Sequence, residues 1–100
     1  MVTNVTDELL EEFKARNNIF HDGQDSDYEK LLSYSIAYVR SKCGEFEIDG
    51  KKDTDKLATE LVLERARYAY NDALEYFEKN FQSEILSLGI EMAGDEDVEE

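Results

Sequence analysis

Apolar residues recur at steps of three and four through three stretches of the chain, and at steps of two in a fourth. The longest stretch runs from Asp55 to Phe81, DKLATELVLERARYAYNDALEYFEKNF. Glu60, Glu64, Arg67, Asn71, Glu75 and Glu78 make one polar stripe along it. Val62, Ala66, Ala69, Ala73, Tyr76 and Phe77 face the other way, and Leu63, Tyr70, Leu74 and Phe81 widen the apolar arc on one flank. This spacing predicts a single helix over 55–80, roughly 40 Å long at about 1.5 Å per residue. An apolar arc wider than ~100° meets more than one partner element. In a chain of 100 residues, that implies intramolecular packing together with a subunit interface.

Two shorter stretches precede it. Thr6 is a good N-cap for a helix over 7–17, with Asp7 and Glu8 in the first turn where the helix dipole favours acids. Val5 and Leu10 can close a hydrophobic staple, Leu9, Leu10 and Phe13 form the buried stripe, and Asn17-Asn18 ends the helix. In the connector from Ile19 to Asp25, Ile19 and Phe20 are expected to plug the core while Asp22-Gly23 turns. Ser26 and Glu29 have capping-box spacing for a second helix over 27–42. Its buried face would carry Tyr28, Leu32, Ser35, Ile36, Val39 and Cys43, with Leu31 and Tyr38 on a flank and Gly44 as C-cap. Residues 45–53 read as a short extended segment with a turn at Asp49-Gly50, after which Asp53 or Thr54 caps the third helix. The core is expected to hold Leu32, Ile36, Val39, Val62, Ala69, Ala73 and Phe77.

The fourth stretch has a different period. Leu86, Leu88, Ile90 and Met92 alternate with Ser87, Gly89 and Glu91, which predicts a strand; Ser83-Glu84 could instead open a short helix. A lone strand would pair with another subunit or lie along the helices, so deleting residues 83–100 is expected to leave the helices folded. The fold class is all-α: a small three-to-four-helix bundle with a long central C-terminal helix and a short extended C-terminal segment. Residues 1–93 make one domain, and 94–100 are expected to be a disordered acidic tail.

Composition narrows the roles. The chain has 25 acidic and 11 basic residues, a net charge of −14, and removing the five acids of its last six positions still leaves −9. Such a surface repels nucleic acid and anionic lipid, so the protein is expected either to neighbour DNA without gripping it or to imitate its charge. No stretch approaches the ~20 apolar residues that span a bilayer. The N-terminus, MVTNVTDELLEEF, has neither the basic nor the apolar region of a secretory signal. Cys43 is the single cysteine and reads as a reduced, partly buried thiol.

Candidate chemistry is sparse. His21-Asp-Gly-Gln-Asp-Ser-Asp27 does not have the ligand order of a calcium loop, and the run from Glu45 has Lys56 where the twelfth-position glutamate belongs. Asn4-Val5-Thr6 matches a glycosylation sequon by chance. Tyr34, Tyr38, Tyr68, Tyr70 and Tyr76 lie at helical spacing, which favours core or interface over base stacking. Arg65 projects beside the apolar arc while Arg67 lies in the polar stripe. Arg65 is therefore expected to be the more buried and to pair with a carboxylate, within the chain or across a subunit boundary. No nucleophile–base pair, phosphate loop or zinc spacing occurs, so no catalytic residue, cofactor or metal is expected.

Taken in order, DELLEEFKARNNI, DYEKLLSYSIAYVRSKCG and LVLERARYAYNDALEYFEKNFQSEILSLGIEMA resemble the head–tail connector (adaptor) proteins of tailed phages, especially those infecting Gram-positive bacteria. The resemblance covers about Thr6 to Met92 and rests on the combination of blocks, not on one short motif. It implies a non-enzymatic virion protein at the neck, synthesised in the host bacterial cytoplasm. It further implies an oligomeric ring, dodecameric to match the portal, between the portal protein and the tail or stopper protein, with DNA passing through unbound and no membrane involved. The candidate assembly interface is Arg65, Tyr70, Leu74, Phe81, Leu86, Leu88 and Ile90. The competing expectation is an acidic DNA-mimic inhibitor of a nucleic-acid-binding enzyme, which accounts for the charge but not for the alternating apolar segment.

Overall fold

The structure, a computed structural model, describes residues 5–98, and side chains from 5 to 94. It is all-helical: α1 (Asp7–Arg16), α2 (Asp25–Cys43), α3 (Asp53–Tyr70), a 3-10 turn (Leu74–Tyr76) and α4 (Phe77–Val98). No strand occurs among the described residues. Asn4 of the sequon, and Glu99 and Glu100, lie outside them. Of the acidic tail expected to be disordered, residues 94–98 are the end of α4.

The entry to α1 follows the sequence. Thr6 is extended and its Oγ1 accepts from the Leu9 amide at 3.0 Å, and Val5 packs onto the core that holds Leu10. The exit is a left-handed stop: Asn18 takes φ 57, and the Ile19 amide reaches back to the Lys14 carbonyl at 2.8 Å. This Schellman pattern drives Ile19 into the core, while Phe20 is 87% exposed and does not plug it as expected. Beside the turn, buried Lys14 is clasped by Asp22 at 2.9 Å and Asp25 at 2.8 Å, so the connector is tied to α1 by charge. These two hydrogen-bonded acids raise the lysine's pKa, and the same pairing lowers that of Asp22.

α2 starts two residues earlier than its sequence implies. Gln24 occupies the cap position with no side-chain cap bond, so the Ser26–Glu29 capping box is not made. The helix ends where expected, at Gly44 with φ 117, whose amide donates to the Arg40 carbonyl. Likewise α3 starts at Asp53 with Lys52 at the cap, and neither Asp53 nor Thr54 serves as N-cap. The intervening loop is pinned to the first turns of α3. Asp55 accepts from the Glu47 amide, and Thr59 accepts from the Asp49 amide. Gly50 must stay small, because a Cβ there would run into the Asp55 carboxylate.

The single helix expected over 55–80 is interrupted. α3 stops at Tyr70 because Asp72 takes φ 58 and the Ala73 amide donates to the Tyr68 carbonyl at 2.8 Å. Asn71 caps the end through its side-chain amide and the Arg67 carbonyl. The chain then makes one 3-10 turn and returns as α4, bent at Phe81 (φ −116, ψ 15), to pack on both α2 and α3. Ala69 and Ala73 are only half-buried and Tyr76 is exposed as a result. The other expected core residues are sealed: Leu32, Ile36 and Val62 are fully buried, with Val39 and Phe77 at 1%.

Phe77 fastens the returning helix. Its ring meets Tyr38 of α2 at 6.0 Å and Tyr68 of α3 at 5.7 Å, and stacks on Phe81 at 4.9 Å. Phe77→Ala is expected to cost about 3–5 kcal/mol, as for other fully buried phenylalanines. A urea titration measures it, and a loss under about 1 kcal/mol would show that this cluster does not hold α4.

Candidate assembly interface

The segment expected to be extended is helical, and its alternating apolar residues divide between two faces. Consecutive residues turn by ~100° in a helix, so residues two apart lie on opposite faces and residues four apart share one. Leu88 and Met92 therefore join Phe77, Phe81 and Ile85 on the face turned to α2 and α3, where Leu88 is 2% and Met92 8% exposed. Leu86 and Ile90 project the other way, at 65% and 67% exposed. A period-two sequence thus becomes a helix with two apolar faces, one used by the fold and one not.

The outer face borders the end of α2. Leu86 and Ile90 line a shallow groove of about 450 Å³ with Lys42, Glu78, Gln82 and Gly89. Gly89 faces the end of α2 closely enough that a Cβ there would be in ordinary contact with the Lys42 carbonyl oxygen, at 3.5 Å. The junction is tied by a Lys42–Glu78 ion pair at 3.5 Å and by the Cys43 thiol, which donates to the Ile85 carbonyl at 3.5 Å.

The seven residues expected to form one interface do not share one surface. Leu86 and Ile90 do. Leu88 is consumed by the core, and Phe81 is half-buried against Phe77 and Tyr68. Tyr70, 41% exposed, packs edge-on to Phe13 and Tyr28, binding the end of α3 to α1 and α2. Leu74 starts the 3-10 turn and is 39% exposed.

Arg65 is half-buried but has no carboxylate partner among the described residues. Its guanidinium lies over the Tyr38 ring at 4.6 Å and donates to Ser35 Oγ at 3.2 Å. The expected ion pair is replaced by a cation–π contact, and burial lowers the arginine's pKa. Arg67 instead pairs with Glu64 at 2.9 Å. Tyr34, expected with the other tyrosines at core or interface, is 64% exposed, and the sequence pattern did not single out the half-exposed Leu57. Leu57 was detectable, since it sits one turn before Leu61 and just ahead of the polar stripe.

Among the described residues no group of three or more acidic, histidine or cysteine side chains could hold a metal ion, and no helix is long and apolar enough to cross a membrane. Cys43 is 8% exposed and burial pushes its thiol pKa up, so it should react with an alkylating reagent only when α4 opens. Iodoacetamide labelling at pH 8, followed by mass spectrometry, should be slow in the folded protein and as fast as a free thiol in urea. Equal rates in both would show that α4 does not cover Cys43.

Comparison with known protein families, with curated proteins and with solved structures yields no match for this chain.

Proposed function

We propose that this protein is a structural subunit of a phage neck, a small helical bundle that assembles into a ring under the portal. In this reading the ring is dodecameric in the virion, contacts the portal protein above and the tail or stopper protein below, and surrounds the passing DNA. The observation that carries the reading is the outer face of α4. It exposes Leu86 and Ile90 on a helix whose opposite face is already filled by Leu88 and Met92. Apolar side chains paired one turn apart on such a helix suit lateral packing against another protein surface. The net charge of −14 suits a wall that DNA must pass without adhering. The contact is made here by a helix face; strand exchange through 83–92 is set aside, since that segment is α4.

Truncation before residue 83 would remove Leu88 and Met92 from the core, so it cannot separate assembly from folding. Substituting Leu86→Ser together with Ile90→Ser spares the core. In the phage that encodes the chain, the double variant should fold normally and package DNA, yet yield heads without tails in negative-stain images. Normal virions from the double variant would remove this face from the interface. Normal virions without the protein at all would remove the connector reading. Under the DNA-mimic alternative, neutralising surface carboxylates would abolish inhibition of a DNA enzyme while the double variant remained active.

A further inference from the structure

A second surface lies between α3 and α4, on lining residues distinct from those around Leu86 and Ile90. Leu57, Glu60, Leu61 and Glu64 form its α3 wall, at the spacing of one helix face. Glu84, Ser87 and Glu91 fall on one line of α4 and form the opposite wall, and the groove between holds about 370 Å³. Its floor is apolar: Leu61 is 6% and Leu88 2% exposed, while Leu57 stands half out of the fold at 50%. The small Ser83 and Ser87 side chains leave the trough open on the α4 side.

The two rims differ in charge compensation. Glu60 receives a bidentate contact from Arg16, at 3.1 and 2.6 Å, and Glu64 is paired with Arg67. Glu84 and Glu91 are exposed and have no ion-pair partner among the described residues. An apolar floor between carboxylate rims, one of them uncompensated, is complementary to an amphipathic helix with basic flanks. From Leu57 to Glu64 the wall is two turns long, roughly 10 Å, so two to three turns of a partner helix would fill it.

The geometry points to this groove as the docking site of a basic amphipathic helix contributed by a partner of different sequence. Aliphatic side chains of the partner enter between Leu57, Leu61 and Leu88, and its lysines or arginines reach Glu84 and Glu91. A second copy of this chain is a poor occupant. Its densest basic run, Lys51 to Lys56, is interrupted by Asp53 and Asp55, and the chain as a whole carries −14. The inference goes beyond the connector reading and does not rest on it.

The test uses the full chain and a synthetic peptide of about 18 residues, long enough to hold a helix, with leucines on one face and lysines on its flanks. The control peptide has the same composition in scrambled order. Amide chemical-shift changes in the protein should concentrate at 57–64 and 81–91, and the scrambled peptide should bind about ten-fold more weakly or worse. Glu84→Lys with Glu91→Lys should weaken binding at least about ten-fold. Ser87→Trp, which fills the trough without changing charge at an exposed position, should do the same while leaving the circular dichroism unchanged. Leu86→Ser should bind as the unmodified protein does. Shifts spread over the whole acidic surface, equal binding of the scrambled peptide, or undiminished binding by Ser87→Trp would each overturn the proposal. So would concentration-dependent self-association that Ser87→Trp abolishes, since the occupant would then be a second copy.

Discussion

The hydrogen bond from the Ala73 amide to the Tyr68 carbonyl closes a turn in which Asp72 sits at φ 58, and the C-terminal half of the molecule depends on it. A non-glycine residue in this conformation costs roughly 1–2 kcal/mol, less for aspartate, whose short polar side chain tolerates it. The return is that Phe77 and Phe81 reach the groove formed by α2 and α3. Had α3 run on to residue 80, these rings would have continued along one axis, away from Tyr38. The fold would then have lost the stacked cluster that now joins three helices.

Once the chain reverses, the geometry of α4 follows from its own sequence. A helix through Leu86, Leu88, Ile90 and Met92 must send one pair inward and the other outward, because residues two apart are turned by ~200°. The inward pair joins the same core cluster as Cys43 and Val39, so its burial needs no second subunit. The outward pair is the surplus. The same reversal sets α4 alongside α3 and creates the acid-rimmed trough on its other flank, so both proposed docking surfaces descend from one backbone turn.

Much of this was legible in the residues. The Thr6 cap, the Asn17-Asn18 stop, the face of α2 and the Gly44 terminus follow local rules that tertiary packing leaves alone. The stop at Asn71-Asp72 uses the same chemistry as Asn17-Asn18, but Asn71 also continues the polar stripe from Arg67, and periodicity masked the turn. The strand reading of 83–92 failed for a related reason. Alternation puts all four apolar residues on one face of a strand, whereas the helix buries Leu88 and Met92 against α2 and α3 and leaves Leu86 and Ile90 outside. Phe20 and Arg65 show the limit of pattern reasoning. A local left-handed turn aims Ile19 inward and leaves Phe20 outside, and a neighbouring tyrosine ring takes the place of the expected carboxylate.

The division of α4 into a structural and a free face is the central claim, and paired alanine substitutions measure it most directly. In urea unfolding of the full chain, Leu88→Ala should cost about 2–5 kcal/mol and Leu86→Ala no more than about 0.5 kcal/mol. Equal losses at the two positions, or a larger loss at Leu86, would contradict the account.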